Sequence, residues 1–219
     1  MSRQRAVVVE LVGPAGAGKS TLAKGVTAVD RSVRSGLSLW GLPRRRLIRS
    51  ALALLPTMIG GGLKRARLRV GELAQLIRLD ALRHVVVHEA SRHRIIILDE
   101  GPIFALSWLD VFFARTGDRA PPAPPAAWRQ RVITDWASLL DVVVFIDPSD
   151  IVAATRTAQT EDDAVGFSTG FRRALDRAIS DLAHGGGHFV VDSLKTDAGP
   201  VDETTTALMA KLKQRRNGH

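Results

Sequence analysis

Residues 6–24 read AVVVELVGPAGAGKSTLAK, and the order of residue types in this stretch predicts a strand, a glycine-rich turn and a helix. Residues 6–12 are mostly apolar and β-branched, which is typical of a buried strand. Residues 13–20 match the pattern G-x-x-x-x-G-K-[ST], and residues 21–24 read as the start of a helix. This context is what a phosphate-binding loop requires, because the glycines let successive backbone N–H groups point at phosphate oxygens. The sequence therefore predicts that the chain binds a nucleoside triphosphate.

The same motif predicts the contacts of the bound nucleotide. We expect Lys19 to reach the β- and γ-phosphates and the Ser20 hydroxyl to ligate Mg²⁺. The ligands predicted by this motif are therefore a nucleoside triphosphate and Mg²⁺. The nucleotide-binding residues predicted within the loop are Gly13, Pro14, Ala15, Gly16, Ala17, Gly18, Lys19, Ser20 and Thr21.

Length and composition limit what can be built around this loop. The 219 residues, 45% of them hydrophobic, fit one domain with a full core, so we expect a single domain over 1–219. The chain has no cysteine, which excludes disulfides and thiolate metal sites. Glu10 interrupts the first apolar run, so we do not expect a signal peptide, and no apolar run approaches the roughly 20 residues of a membrane span. A cytoplasmic enzyme is the expectation.

The charge of the chain favours anionic partners. The net charge is +9, and residues 44–69 contain eight Lys or Arg and no acid. Three interpretations of this basic region remain open: a solvated face, a grip on an anionic small substrate, and a nucleic-acid or membrane surface. No aromatic residue interleaves with these charges, so stacking on single-stranded nucleic acid is not supported.

A second β-branched run ends in two carboxylates. Residues 94–102 read RIIILDEGP, which predicts a buried parallel strand that delivers Asp99 and Glu100 to a site at its end. An aspartate on the strand beside a glycine loop holds Mg²⁺ in P-loop proteins, so we predict Asp99 as a metal ligand together with Ser20. We predict that Glu100 takes a proton from an attacking hydroxyl or water.

The remaining chain alternates between strand and helix patterns. We expect a three-layer α/β/α sandwich around a mostly parallel five-stranded sheet, with a helical insertion at about 42–91 and a lid at about 150–173. The predicted strands after the first are 36–40, 94–99, 141–148 and 188–192. The predicted helices after the first are 42–59, kinked or ended by Pro56, then 65–91, 103–114, 128–140, 149–156, 171–184 and 201–215, with a polar break at 157–170.

The order of these segments resembles the P-loop kinases of the nucleoside-monophosphate-kinase-like group, nearest to thymidylate-kinase-like proteins. The resemblance is carried by GPAGAGKST at 13–21, IIILDEGP at 95–102, DVVVFIDPSDIVAATR at 141–156 and HFVVD at 188–192, which together span almost the whole chain. It implies a P-loop NTPase fold and phosphoryl transfer from ATP.

The resemblance also implies roles for residues outside the two strong motifs. In such kinases, lid arginines bind the transferring phosphoryl group, and Arg156 falls at that position. No second arginine follows in 157–163, and Arg172 or Arg173 on the next helix is the substitute that the family pattern suggests. Arg67 or Arg69 matches the substrate-phosphate arginine by position. The family places the adenine contact in the turn after the last strand, here Asp192 to Lys195.

The implied function is ATP- and Mg²⁺-dependent phosphoryl transfer to a small acceptor that bears a hydroxyl or phosphate, such as a nucleoside, nucleotide or other metabolite. Glu100 or Asp99 would orient the acceptor hydroxyl. Two alternatives remain open at this point: an ATPase or regulatory nucleotide-binding switch without an acceptor, and a kinase or binder that acts on nucleic acid. A homodimer also remains open.

Overall fold

A computed structural model of the protein describes residues 5–13, 17–60, 70–115, 127–148, 164–196 and 201–217. The strands are β1 (Val7–Val12), β2 (Val33–Ser38), β3 (Ile95–Glu100), β4 (Val142–Pro148) and β5 (Val190–Thr196). The helices are α1 (Lys19–Val29), α2 (Arg44–Gly60), α3 (Val70–Ala90), α4 (Pro102–Arg115), α5 (Ala127–Ala137), α6 (Ala164–His184) and α7 (Val201–Asn217).

The five strands form one parallel sheet in the order β2-β3-β1-β4-β5. The central strand is β1, in which Val9 pairs with Ile97 of β3 and with Val142 of β4. Because all the strands run the same way, their carboxyl ends meet at one edge, where parallel sheets of this kind bind ligands. Gly13, which follows β1 at the start of the glycine loop, therefore lies between the ends of β3 and β4. The predicted parallel five-stranded sheet is confirmed.

Side chains that alternate along the strands cover the sheet on both faces. On one face, Val9, Ile97 and Val144 pack with α1 and α7. On the other face, Val8 and Ile96 pack with α3, α4, α5 and α6, and α2 lies against α3. This strict alternation is the pattern of a strand buried on both sides, and it produces the predicted α/β/α sandwich.

The second strand begins earlier than predicted. It spans 33–38 rather than 36–40, and its pairing with β3 shifts register between Arg34 and Leu37. Gly36 lies inside this irregularity with φ of 73°, a conformation that favours glycine. The glycine that reads as the start of a strand in the sequence is therefore a bulge within it.

Several helix boundaries also differ from the predicted ones. The second helix continues through Pro56 to Gly60, so Pro56 does not end the helix. The sixth helix starts at Ala164, so the predicted polar break at 157–170 is wrong for residues 164–170. The helix predicted at 149–156 lies outside the described residues. None of the helices in the described part of the chain combines the length and apolar character needed to cross a bilayer.

The packing of α3 against the sheet can be tested by substitution of a buried leucine. Leu82 has 0% of its surface exposed, whereas Leu52 on α2 is 61% exposed. We expect Leu82→Ala to lower the free energy of unfolding by about 2–5 kcal/mol, because the substitution leaves a cavity. The matched Leu52→Ala variant should change it by no more than about 0.5 kcal/mol. Urea denaturation of both variants measures the difference, and equal losses would contradict the packing described.

Candidate active site

The glycine loop is shaped by close backbone contact at its start and by a left-handed residue at its end. A Cβ atom added to Gly13, whose φ is 154°, would lie 2.5 Å from the carbonyl oxygen of Ile146 in β4. Gly18 has φ of 84° and immediately precedes the first residue of α1. Both positions therefore require glycine, for space at the first and for conformation at the second. Ala17 is buried and Thr21 is exposed, whereas residues 14–16 lie outside the described residues.

Lys19 folds back over this loop. Its Nζ donates a hydrogen bond to the carbonyl oxygen of Gly13 at 2.9 Å. Burial lowers the pKa of Lys19, and the negative charges of Asp99 and Glu100 oppose that shift. The ammonium group is thus held beside the loop and close to two carboxylates, where it can meet an anionic ligand.

The predicted metal ligands come together across two elements. Ser20 Oγ on α1 donates to Asp99 Oδ2 on β3 at 2.5 Å. Asp99 Oδ1 is buried and has no hydrogen-bond partner among the described residues. Hydroxyl and carboxylate oxygens are the ligands that Mg²⁺ prefers, and a buried carboxylate oxygen without a donor is suited to a cation. The residues present therefore fit Mg²⁺.

Glu100 lies on the opposite face of β3 from Asp99. Ile97 packs in the α1 layer and Leu98 in the α4 layer, so alternation turns Asp99 toward α1 and Glu100 toward α4 and α6. Burial raises the pKa of Glu100, the charge of Asp99 raises it further, and Lys19 opposes both effects. A glutamate with a raised pKa is a better proton acceptor near neutral pH than an ordinary one.

Glu10 is a site component that the sequence reasoning missed. This fully buried side chain of β1 accepts three backbone hydrogen bonds at the start of α4: Oε1 accepts from Gly101 N at 3.1 Å and Phe104 N at 2.9 Å, and Oε2 accepts from Ile103 N at 3.1 Å. The available signal was a lone acid inside the apolar run of 6–12, because a buried carboxylate requires donors. Its partners lie more than 90 residues away, so the sequence alone does not reveal them.

The residues predicted to contact adenine lie in the last strand rather than in the turn after it. Asp192 and Lys195 lie within β5, which runs to Thr196, so the prediction that they form the turn after the last strand is wrong. Asp192 Oδ1 accepts a hydrogen bond from Lys211 Nζ of α7 at 2.7 Å. The strand β5 was predicted at 188–192, and it begins two residues later and ends four residues later than predicted. The residues that follow β5, 197–200, lie outside the described part of the chain.

The predicted arginines are only partly described. The Arg172 guanidinium carbon on α6 lies 4.9 Å from the ring centre of Phe145, a residue that pairs with Val12 just before the glycine loop. Arg67, Arg69 and Arg156 lie outside the described residues. The described arginines of the basic region lie at the surface of α2. Arg46 is half-buried, and the exposed ones are Arg44, Arg45 and Arg49.

These features define the class of fold. A central parallel strand runs through a glycine loop into a helix, and the neighbouring strand places an aspartate against that helix. This is the architecture of a P-loop NTPase. No protein-family model matches the chain, and no curated protein sequence matches it.

A solved structure allows a narrower description of the fold. The chain is similar to thymidylate kinase from Candida albicans, with a TM-score of 0.58 and 14% identity over 100% of this chain and 96% of that one. It is also similar to a deoxyadenosine kinase from M. mycoides, with a TM-score of 0.49 and 16% identity over 95% of this chain and 100% of that one. A shikimate kinase from Acinetobacter baumannii matches with a TM-score of 0.45 and 15% identity over 97% of this chain and 96% of that one. The chain therefore has the fold of the P-loop kinases of the nucleoside-monophosphate-kinase-like group, and the predicted resemblance is confirmed.

Because Glu10 is buried, the free energy of unfolding should depend on pH. Burial raises the pKa of Glu10 from 4.5 to about 7, although its three backbone hydrogen bonds lower it. The folded chain thus binds the carboxyl proton of Glu10 more tightly than the unfolded chain does. The contribution of this proton to the free energy of unfolding is therefore fully present below pH 4.5 and is lost as the pH rises through about 7. Relative to Glu10→Gln, which does not titrate, the wild type should lose about 3 kcal/mol of unfolding free energy over this range.

Denaturant titrations of both proteins at the two ends of this pH range measure the loss. A difference between wild type and variant that stays constant with pH would show that Glu10 has an ordinary pKa.

Proposed function

We propose that the protein transfers the γ-phosphoryl group of ATP to a small acceptor that bears a hydroxyl or phosphate group. The observation that carries this proposal is the meeting of Lys19, Ser20, Asp99 and Glu100 at the carboxyl edge of β1 and β3. A P-loop alone would bind a triphosphate. A carboxylate with a raised pKa on the other face of the same strand end adds a group that can accept a proton.

The chain's own groups can hold the triphosphate. The loop from Gly13 to Ser20 and the amino end of α1 would supply backbone N–H groups to the phosphates. Lys19, already placed over the loop by its bond to Gly13, would exchange that carbonyl for phosphate oxygens. Ser20 and Asp99 would hold Mg²⁺, which neutralises charge on the phosphates when it is bound.

The acceptor would approach from the α4 and α6 side of the sheet. Glu100 points to that side and would take the proton of an acceptor hydroxyl, or orient it. Phe104 and Phe171 line the same layer, with their ring centres 5.8 Å apart in an edge-to-face arrangement. Arg172 follows Phe171 directly and would place a positive charge beside the transferring or acceptor phosphate.

Other parts of the proposal rest on the family pattern. Arg156 is proposed as a lid arginine within about 150–173, and Arg67 and Arg69 as substrate-phosphate contacts within the insertion at about 42–91. We propose ATP as the phosphoryl donor, with the whole chain acting as one kinase domain.

An acceptor panel tests the proposal. ADP release from ATP and Mg²⁺ is measured with nucleosides, nucleotides, sugars, aminoglycoside-like alcohols and oligonucleotides. We expect a compound in one of the small-molecule classes to raise the rate many-fold. Lys19→Ala and Glu100→Gln should each reduce the stimulated rate by about a hundredfold, because each removes charge stabilisation or proton transfer in the transition state.

The panel also separates the alternatives. A slow rate that no compound changes would contradict the kinase proposal and favour an ATPase switch. Stimulation by oligonucleotides alone, lost as the salt concentration rises, would instead place the activity on nucleic acid.

Two adjacent arginines provide a matched test of the acceptor side. Arg172 and Arg173 are both exposed on α6, but Arg172 stacks over Phe145 near the loop. We expect Arg172→Ala to lower kcat/KM for the stimulating acceptor by at least about tenfold, because a charge that stabilises the transition state is removed. Arg173→Ala should leave it unchanged. Equal effects of the two variants, measured by steady-state kinetics, would rule out a specific role for Arg172.

A further inference from the structure

We infer that Glu10 is a positioning residue that couples the strand before the glycine loop to the turn that follows Asp99 and Glu100, and that this coupling sets how strongly Mg²⁺ enhances ATP binding. The inference rests on the proposed function, because it concerns the same site. The carboxylate of Glu10 accepts hydrogen bonds from the backbone of residues 101–104, and through that backbone it would act on the metal site.

Glu10 links β1 to the residues that follow β3. Glu10 lies three residues before Gly13, where the glycine loop begins, and it pairs with Leu98 of β3, one residue before Asp99. From there its carboxylate reaches past the end of β3 and accepts the N–H groups of Gly101, Ile103 and Phe104. Beyond the pairing of β1 with β3, one buried side chain therefore joins β1 to the turn that follows Asp99 and Glu100.

The turn is built to receive this carboxylate. A Cβ atom at Gly101 would lie 2.7 Å from Glu10 Cδ, so only glycine leaves room for the approach. The first N–H groups of a helix have no partner within the helix, and in a buried position they must find one elsewhere. Glu10 satisfies the N–H groups of both Ile103 and Phe104 in the first turn of α4. Without its carboxylate, the turn would have to move to satisfy them.

Movement of this turn bears directly on the metal site. Gly101 follows Glu100 and is two residues from Asp99, whose Oδ2 contacts Ser20 and whose Oδ1 is buried without a hydrogen-bond partner among the described residues. Neighbouring residues hold a metal ligand in its orientation, and loss of such supporting contacts typically lowers metal affinity by about 10–100-fold. Lys19 Nζ, in contrast, donates to the carbonyl oxygen of Gly13, which lies outside this turn. The expected effect is therefore specific to Mg²⁺.

The test compares ATP affinity with Mg²⁺ and with EDTA by isothermal titration calorimetry at about pH 8, where a glutamate with a pKa near 7 is mostly ionised. In Glu10→Gln, the ATP affinity in EDTA should stay within about twofold of wild type, whereas the enhancement by Mg²⁺ should fall about tenfold. A glutamine amide keeps the size of the side chain, but its NH₂ group cannot accept the third N–H bond.

Two variants frame this comparison. Ser107→Ala removes a buried hydrogen bond within α4, from Ser107 Oγ to the carbonyl oxygen of Ile103 at 2.6 Å, and should leave the Mg²⁺ enhancement unchanged. Gly101→Ala displaces the turn from the other side and should reproduce the loss seen in Glu10→Gln. It also serves as the test if Glu10→Gln does not fold.

The outcomes separate this inference from the proposed function. Wild-type protein that shows no Mg²⁺-dependent ATP binding overturns both. A normal wild type together with a variant that loses affinity equally in EDTA and Mg²⁺ assigns Glu10 a purely structural role, as does an unchanged enhancement, and either result overturns the inference alone.

Hydrogen exchange without nucleotide checks the geometry directly. The amides of Gly101, Ile103 and Phe104 should exchange faster in Glu10→Gln than in wild type, whereas the amides of β4 should not. Unchanged protection of all three amides would also overturn the inference.

Discussion

The parallel pairing of β1 with β3 is the constraint on which the site depends. It sets Glu10 beside Leu98 and thereby places the end of the loop strand next to the end of the strand that carries Asp99 and Glu100. Because β4 pairs on the other side of β1, the loop at Gly13 is pressed against the carbonyl of Ile146. A shift of one residue in this register would turn both carboxylates to the wrong faces of the sheet.

Successive side chains at the end of β3 face different helix layers. Asp99 turns to the α1 layer, where it meets Ser20, and Glu100 turns to the α4 and α6 layer, where the aromatic pair and Arg172 lie. One strand end therefore serves a nucleotide side and an acceptor side. Glu10 belongs to the second layer, and its cost in stability at neutral pH is consistent with a side chain retained for the placement of the turn.

Local patterns were enough to predict that Ser20 and Asp99 lie together at the ends of β1 and β3. The glycine loop and the RIIILDEGP run are contiguous stretches whose residue order dictates strand, turn and carboxylate, so the contact between Ser20 and Asp99 followed from the topology. Other features depend on distant pairing. The partners of Glu10, the bulge at Gly36 and the place of Asp192 within β5 are decided by neighbouring strands and helices, which the local pattern does not show. The propensity of Pro56 was likewise overridden by the helix around it.

We propose that Ser20 and Asp99 hold the metal of a bound nucleoside triphosphate, and electron paramagnetic resonance with Mn²⁺ in place of Mg²⁺ shows whether they do. With ATP and wild-type protein, we expect an ordered Mn²⁺ signal with phosphorus couplings from the nucleotide, and we expect Asp99→Asn to weaken or abolish this protein-bound signal. A Mn²⁺ spectrum with ATP that the protein does not alter, or one that Asp99→Asn leaves unchanged, would show that these residues do not hold the metal.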